Sequence, residues 1–174
     1  MRSALEGINV QRRSGDLEPI QIGIGICTGN VISGNIGTDK RMEYTVIGDE
    51  VNIASRLENL CGDYGVDILI GETTLAELKD RFMTRTVDYV FVKGRKKPIH
   101  IFEVLCEGKR PLTAAEECFG TGLDFYRQGD FERAARKFAA HGSEDHLCRM
   151  FLGRCRVFQQ TPPPKGWNGA WIFD

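Results

Sequence analysis

With 174 residues, 41% of them hydrophobic and 27% charged, the chain has the composition of a soluble globular protein, with room for one ordinary domain or a smaller one plus an appendage. A formal net charge of -1 excludes a global basic field for nucleic acid or anionic membrane, although basic clusters stand at Arg12-Arg13 and Arg95-Lys96-Lys97. No apolar run approaches the length of a membrane span (about 18 residues), and MRSALEGINVQRRSG lacks the apolar core of a signal peptide, so a cytoplasmic chain without membrane insertion is expected.

Leu5, Ile8 and Val10, followed by a basic pair and Gly15, predict the end of an amphipathic helix over residues 1–13, as though a domain were entered midway. IQIGIGIC (20–27) alternates strictly, which predicts a strand with isoleucines on one face and Gly23 and Gly25 on the other. Those glycines leave room for a helix, another backbone or a ligand. Residues 28–37 read as a turn, a short strand around Val31-Ile32 and another turn. The strand MEYTVI that follows is expected to form an antiparallel hairpin with the first.

Asp49 reads as an N-cap, with Val51, Ala54, Leu57, Leu60 and Cys61 at helical spacing after it and an end near Gly62. On that helix Asn52 and Arg56 stand four residues apart and so share a face, where an amide and a guanidinium form a clamp for an oxyanion or phosphate. A short strand at 67–70, a helix from Gly71 over Leu75, Leu78 and Phe82, and two alternating strands at 84–92 and 98–105 complete an α+β domain with a largely antiparallel sheet. Beyond Pro111 the pattern turns helical from Ala114 to Phe138, broken at Gly129-Asp130. FYRQGDFERAARKF resembles one helical hairpin of the tetratricopeptide kind. A third helix (145–159), three prolines at 162–164 and a terminal WNGAWIFD with a turn at Asn168-Gly169 follow.

The weaker signals have simpler chemical readings. The run Gly23-Ile-Gly25-Ile-Cys-Thr-Gly29 has its third glycine one place late for a dinucleotide turn and no helix after it. There is no G-K-[ST] or G-x-S-x-G, and His100, His141 and His146 show no ligand spacing. Six cysteines are scattered without C-x-x-C or zinc spacing, which favours a reducing compartment, and Cys27, Cys61 and Cys118 read as small core residues.

The long ordered run IGIGICTGNVISGNIGTDKRMEYTVIGDEVNIASRLE, then YGVDILIGETT, then VKGRKKPIHIFEVL, closely resembles the second half of a class III adenylate/guanylate cyclase catalytic domain of the bacterial type. The resemblance implies a partial, ferredoxin-like cyclase domain over residues 1–107 and a helical extension with a Pro-rich tail over 108–174. It implies conversion of ATP to 3′,5′-cyclic AMP and pyrophosphate at the interface of two cyclase domains, with two Mg2+ or Mn2+ ions. Asn52 matches the family's asparagine that positions the ribose, and Arg56 its arginine that stabilises charge on the α-phosphate. Thr45 falls on the base-selecting position, where threonine resembles adenylate cyclases, and Lys93 matches the lysine that reaches the triphosphate. Read without the resemblance, the pair on the helix is an exposed amide and cation, Thr45 a β-branched strand residue and Lys93 one more loop cation. The family's metal-binding aspartates belong to the half of the domain preceding these motifs, so no metal ligand is assigned here. Asp16, Asp39, Asp49 and Asp63 lack the metal context. The expectation is therefore a chain inactive alone that gains metals from an absent half or a partner domain. The alternative is a non-catalytic regulatory or dimerisation module derived from a cyclase.

Overall fold

The computed structural model describes residues 1–38, 41–92 and 97–173, with the side chain of residue 41 outside that description. In chain order the elements are α1 (Arg2–Ser14), β1 (Ile24–Ile26), β2 (Ile32–Thr38), β3 (Arg41–Ile47), α2 (Asp49–Tyr64), β4 (Ile68–Gly71), α3 (Glu72–Glu77), β5 (Phe82–Phe91), β6 (Ile99–Glu107), α4 (Ala114–Arg127), α5 (Phe131–Ala140), α6 (His146–Gln160) and β7 (Trp171–Ile172). Five strands make one sheet in the order β1-β4-β6-β5-β7, while β2 and β3 form a separate ribbon. The β4–β6, β5–β6 and β2–β3 ladders are antiparallel, and the short β1–β4 and β5–β7 ladders parallel, so the α+β class with mainly antiparallel pairing holds.

Several expectations are corrected. The strand over 20–27 is shortened to Ile24–Ile26, because β4, its partner, begins only at Ile68. Ahead of it the Asn9 side chain stands in for a neighbouring strand. Its amide donates to the Ile20 carbonyl at 2.9 Å and its carbonyl accepts the Ile20 N–H at 2.7 Å. That exchange explains why a polar residue is the buried one on α1, while Ile8 and Val10 are exposed. The hairpin partner of β3 is β2, not the first strand: the register runs from Ile32↔Ile47 to Thr38↔Arg41, a sequence-local pairing with little closure entropy. Asp49 is the first helical residue of α2 rather than its cap, and Gly48 in extended backbone takes the cap position without a side-chain bond. The helix over 72–82 stops at Glu77, where Lys79 and Asp80 take left-handed φ of 46° and 61°, and Phe82 opens β5.

α4, capped by a Thr113–Glu116 capping box, and α5 fold back on one another across Gly129, whose φ of +79° suits a residue without Cβ. α6 packs on α5 and reaches α2. The buried apolar cluster is continuous from Ile53, Leu57 and Tyr64 of α2, through Val87 and Val90 of β5, to Phe119, Phe138 and Phe151 of the helical segment. A lone helical hairpin cannot bury both faces, and here α6 supplies most of the cover, through Phe151 and Phe158, while α4 also touches β5.

Candidate active site

The glycines of β1 set the position of α2. A Cβ on Gly25 would lie 2.0 Å from the Ala54 carbonyl oxygen and 2.4 Å from the Glu58 nitrogen, and one on Gly23 would lie 2.7 Å from the Glu58 carbonyl oxygen. Of the occupants left open by the sequence, a helix is the one present: helix and strand backbones touch. The N-terminal half of α2 is tied down further. The Cys27 thiol donates to the Glu50 carboxylate at 2.7 Å, while the end of β1 is held to α3 by the Thr28 and Thr74 hydroxyls, paired at 3.1 Å, and by the Thr74 hydroxyl donating to the Ile26 carbonyl. At the other end Gly65, left-handed at φ +63°, closes the helix with its N–H on the Cys61 and Gly62 carbonyls.

The buried stripe of α2 is Ile53, Leu57, Leu60, Cys61 and Tyr64. At roughly 100° per residue, Arg56 lies about a quarter turn and Asn52 about a third of a turn off the centre of that stripe, adjacent to one another. Asn52 is exposed and Arg56 half-buried. Among the described residues neither side chain has a hydrogen-bond or ion-pair partner in the chain, so the guanidinium flanks the core with its donors uncommitted. Arginine in that setting presents a planar fork suited to phosphate oxygens.

Thr45 sits on β3 opposite Gly34, exposed, on the ribbon face it shares with Ile32, Ile36 and Ile47. The other face carries Met42, Tyr44 and Val46, and both faces stand open to solvent, with Tyr44 74% and Ile32 73% exposed. Gly48 joins this ribbon to α2. A Cβ there would meet Val31 Cγ1 at 3.1 Å, so the corner is closed tightly against the turn before β2. Thr45, Asn52 and Arg56 therefore belong to one continuous stretch fixed at the Gly48 corner. Lys93 lies outside the described residues.

The expected core thiols are borne out for Cys61, which is buried, while Cys27 and Cys118 are half-buried. Burial pushes the Cys61 thiol up, so it is no nucleophile. No group of three or more His, Cys, Asp or Glu able to hold a metal ion occurs among the described residues. Among the described residues the donors present do not make up a divalent-ion site. No helix among the described residues is long and apolar enough to cross a membrane.

A half-buried arginine and an asparagine stand one turn apart on a helix packed against a glycine-bearing strand, with an exposed ribbon before it. The chain belongs to the adenylate and guanylate cyclase catalytic domain family, whose model matches residues 1–104. Among characterised relatives it is 40% identical over 126 residues to the terminal-differentiation specific adenylate cyclase of Dictyostelium discoideum, covering 68% of this chain and 6% of that protein. It is 42% identical over 112 residues to an adenylate cyclase of Anabaena cylindrica, covering 60% of this chain and 22% of that one. The chain thus spans less than a quarter of either relative. The crystal structure of an adenylyl cyclase from P. aeruginosa matches with a TM-score of 0.54 at 36% identity, over 64% of this chain and 56% of the other. That of a guanylyl cyclase matches with a TM-score of 0.50 at 40% identity, over 61% and 53%.

A buried polar group that the sequence pattern does not single out stands at the far end of α2: Asp88 of β5, which is 1% exposed and accepts from the Tyr64 hydroxyl. Its signal was an acid set between Val87 and Val90 in an apolar strand.

Proposed function

We propose that this chain supplies the transition-state half of an adenylate cyclase site, forming 3′,5′-cyclic AMP and pyrophosphate from ATP when paired with a second cyclase catalytic domain. The observation that carries the reading is the Asn52–Arg56 pair, one turn apart on the flank of α2, with a guanidinium that no carboxylate of the described chain neutralises. In this reaction the ribose 3′-hydroxyl gives up its proton to solvent, its oxygen forms a bond to the α-phosphorus, the bond from that phosphorus to the bridging oxygen breaks, and pyrophosphate leaves. Negative charge gathers on the α-phosphate oxygens at the crossing point, and a cation fixed there beforehand lowers the barrier. Arg56 is that cation, while the Asn52 amide holds the ribose so that the 3′-oxygen lies in line. The Thr45 hydroxyl accepts a hydrogen bond from the adenine amino group, and Lys93 reaches the triphosphate. Mg2+ or Mn2+ ions, which would neutralise the triphosphate and activate the 3′-hydroxyl, would be held by carboxylates of the second domain. The apolar ribbon of β2 and β3 supports docking of the second domain, since two uncovered faces of this kind are otherwise a liability in water. We read the α4–α5 hairpin as a single repeat of the tetratricopeptide kind, resting on the cyclase fold.

The test is cyclic AMP formation from ATP with Mn2+, using the full chain alone and mixed with a homologous catalytic domain. That domain keeps its metal aspartates but has lost its own asparagine and arginine. The chain alone should be inactive, and the mixture active with a rate that Arg56→Ala lowers by about 10²–10³-fold. Activity of the chain alone, or a gain that survives Arg56→Ala, refutes the proposal. The exposed ribbon also suits a second reading, a non-catalytic dimerisation module, which predicts binding to the homologous domain with no gain in product.

A further inference from the structure

Behind the candidate site, where α2 ends, three polar side chains meet in the core. Arg154 Nη1 of α6 donates to Asp88 Oδ2 at 2.5 Å, and the Tyr64 hydroxyl donates to the same oxygen at 2.5 Å. The Tyr89 backbone N–H donates to Asp88 Oδ1 at 2.7 Å, and Arg154 Nη2 lies 3.4 Å from the Tyr64 oxygen. Arg154 is 5% exposed, Asp88 1% and Tyr64 0%. The guanidinium also lies 4.1 Å from the ring centre of Trp171 and 4.6 Å from that of Phe151.

These contacts join elements far apart in sequence. Tyr64 is the last residue of α2, eight positions after Arg56, or about 12 Å along the helix. Asp88 lies on β5, three residues before that strand ends at Phe91. Trp171 and Ile172 add β7 to the outer edge of β5 opposite Val90 and Phe91. A second set of contacts runs parallel to the first. Arg85 of β5 bonds Glu103 at 2.6 Å and also Asp145, the N-cap of α6. His146 Nε2 donates to the Asp63 carbonyl at 3.1 Å, and a Cβ on Gly65 would meet the His146 ring at 2.7 Å. The helical segment therefore grips the far end of the Asn52–Arg56 helix and the strand that feeds Lys93 at the same place.

A buried ion pair is a poor source of stability, because desolvating both charges offsets most of their attraction, and a well-packed apolar trio serves as well. What it does impose is geometry: one acid accepts from a tyrosine, an arginine and a backbone amide at fixed angles. Burial, with the Asp88 carboxylate beside it, drives the Tyr64 phenol well above its ordinary range, which keeps it a donor at every relevant pH.

We infer that Arg154 is a positioning residue for the candidate site, acting through Asp88 and Tyr64 to fix the C-terminal end of α2 and thereby the aim of Asn52 and Arg56. The inference rests on the function proposed above, and its test has one readout independent of activity. Arg154→Met alone leaves Asp88 buried without its cation, so the decisive variant is the full chain carrying Arg154→Met with Asp88→Asn. In it the charges are gone together and the volume is nearly kept.

Its melting temperature should stay close to the wild-type value. Amide exchange in residues 57–66 should accelerate at least tenfold while that of α4 and α5 is unchanged. In the mixed assay kcat should fall at least tenfold with KM for ATP unchanged, and Arg154→Lys should recover part of that loss. Unchanged exchange over 57–66, or an undiminished kcat in the folded variant, overturns the inference. If the wild-type mixture forms no cyclic AMP, the proposed function fails, and the exchange measurement alone decides whether the brace exists.

Discussion

Gly25→Ala isolates the contact that places the candidate catalytic helix. The added methyl would sit 2.0 Å from the Ala54 carbonyl oxygen, 2.4 Å from the Glu58 nitrogen and 3.0 Å from the Leu57 carbonyl carbon. All three are backbone atoms of α2, so no side chain can rotate away, and the helix must retreat by about 1 Å or more to restore ordinary contact. A gap of that size forfeits about a quarter to a half of the local dispersion contact. Applied to Ile53, Leu57 and Leu60, each contributing about 2 kcal/mol when buried, the loss is about 2 kcal/mol. Strain in the overpacked strand adds about 1–3 kcal/mol, for a total of about 3–5 kcal/mol. Urea unfolding of the full chain measures it, with Gly34→Ala as the control, because a Cβ there meets nothing within 4 Å. The control should lie within about 0.5 kcal/mol of wild type. A 1 Å shift of α2 should also lower the mixed-assay rate by about 10²-fold. A Gly25→Ala chain within about 1 kcal/mol of wild type would show that α2 does not rest on β1 as described.

Three further outcomes are expected. The Tyr126 hydroxyl is buried and has no hydrogen-bond partner among the described residues, so Tyr126→Phe should leave the urea midpoint unchanged or raise it, by up to about 1 kcal/mol, whereas a loss above about 2 kcal/mol would reveal a partner. Thr45→Cys should reduce the preference for ATP over GTP in the mixed assay by about tenfold, the worth of one hydrogen bond, and an unchanged ratio would remove Thr45 from base selection. The Arg110 guanidinium beside Glu116 holds its carboxyl down at about 2, below its ordinary 4.5. A carboxyl lowered by folding contributes stability that is present above the unfolded value and lost as pH falls from 4.5 towards 2. Thermal melts across that window should therefore be flatter for Glu116→Gln than for wild type.

The features legible in the sequence are those whose cause is local. Asn52 and Arg56 could be placed on one face because helical spacing is a property of the helix alone, and the bend at Gly129 because a left-handed residue is needed there whatever surrounds it. IGIGIC announced a strand and an open glycine face, yet its length was set by where β4 begins and by the Asn9 side chain, neither of which alternation encodes. The pairing of β3 with β2 is hidden for the same reason: Gly34 and Gly37 break the alternation, so only a short strand around Val31-Ile32 is visible where β2 runs to Thr38. Asp88 was the least legible of all. In an alternating strand an acid reads as solvent-facing, and nothing near it indicates that its cation stands 66 residues further on, in α6. A buried charge becomes readable only when both partners are known.

That difference bears on how the two halves of the helix α2 are to be understood. Its N-terminal half, with the pair proposed to act on the phosphate, is fixed by local chemistry: glycines in β1, the Cys27–Glu50 bond and the Gly48 corner. Its C-terminal end is fixed by distant residues of the helical segment and of the last strand. A rigid helix transmits displacement from one end to the other, so changes in how α6 and β7 sit should be felt at Asn52 and Arg56 although neither residue touches them. The segment beyond Pro111 is therefore placed to do more than cover apolar surface, and removing it should cost the site its aim as well as its stability.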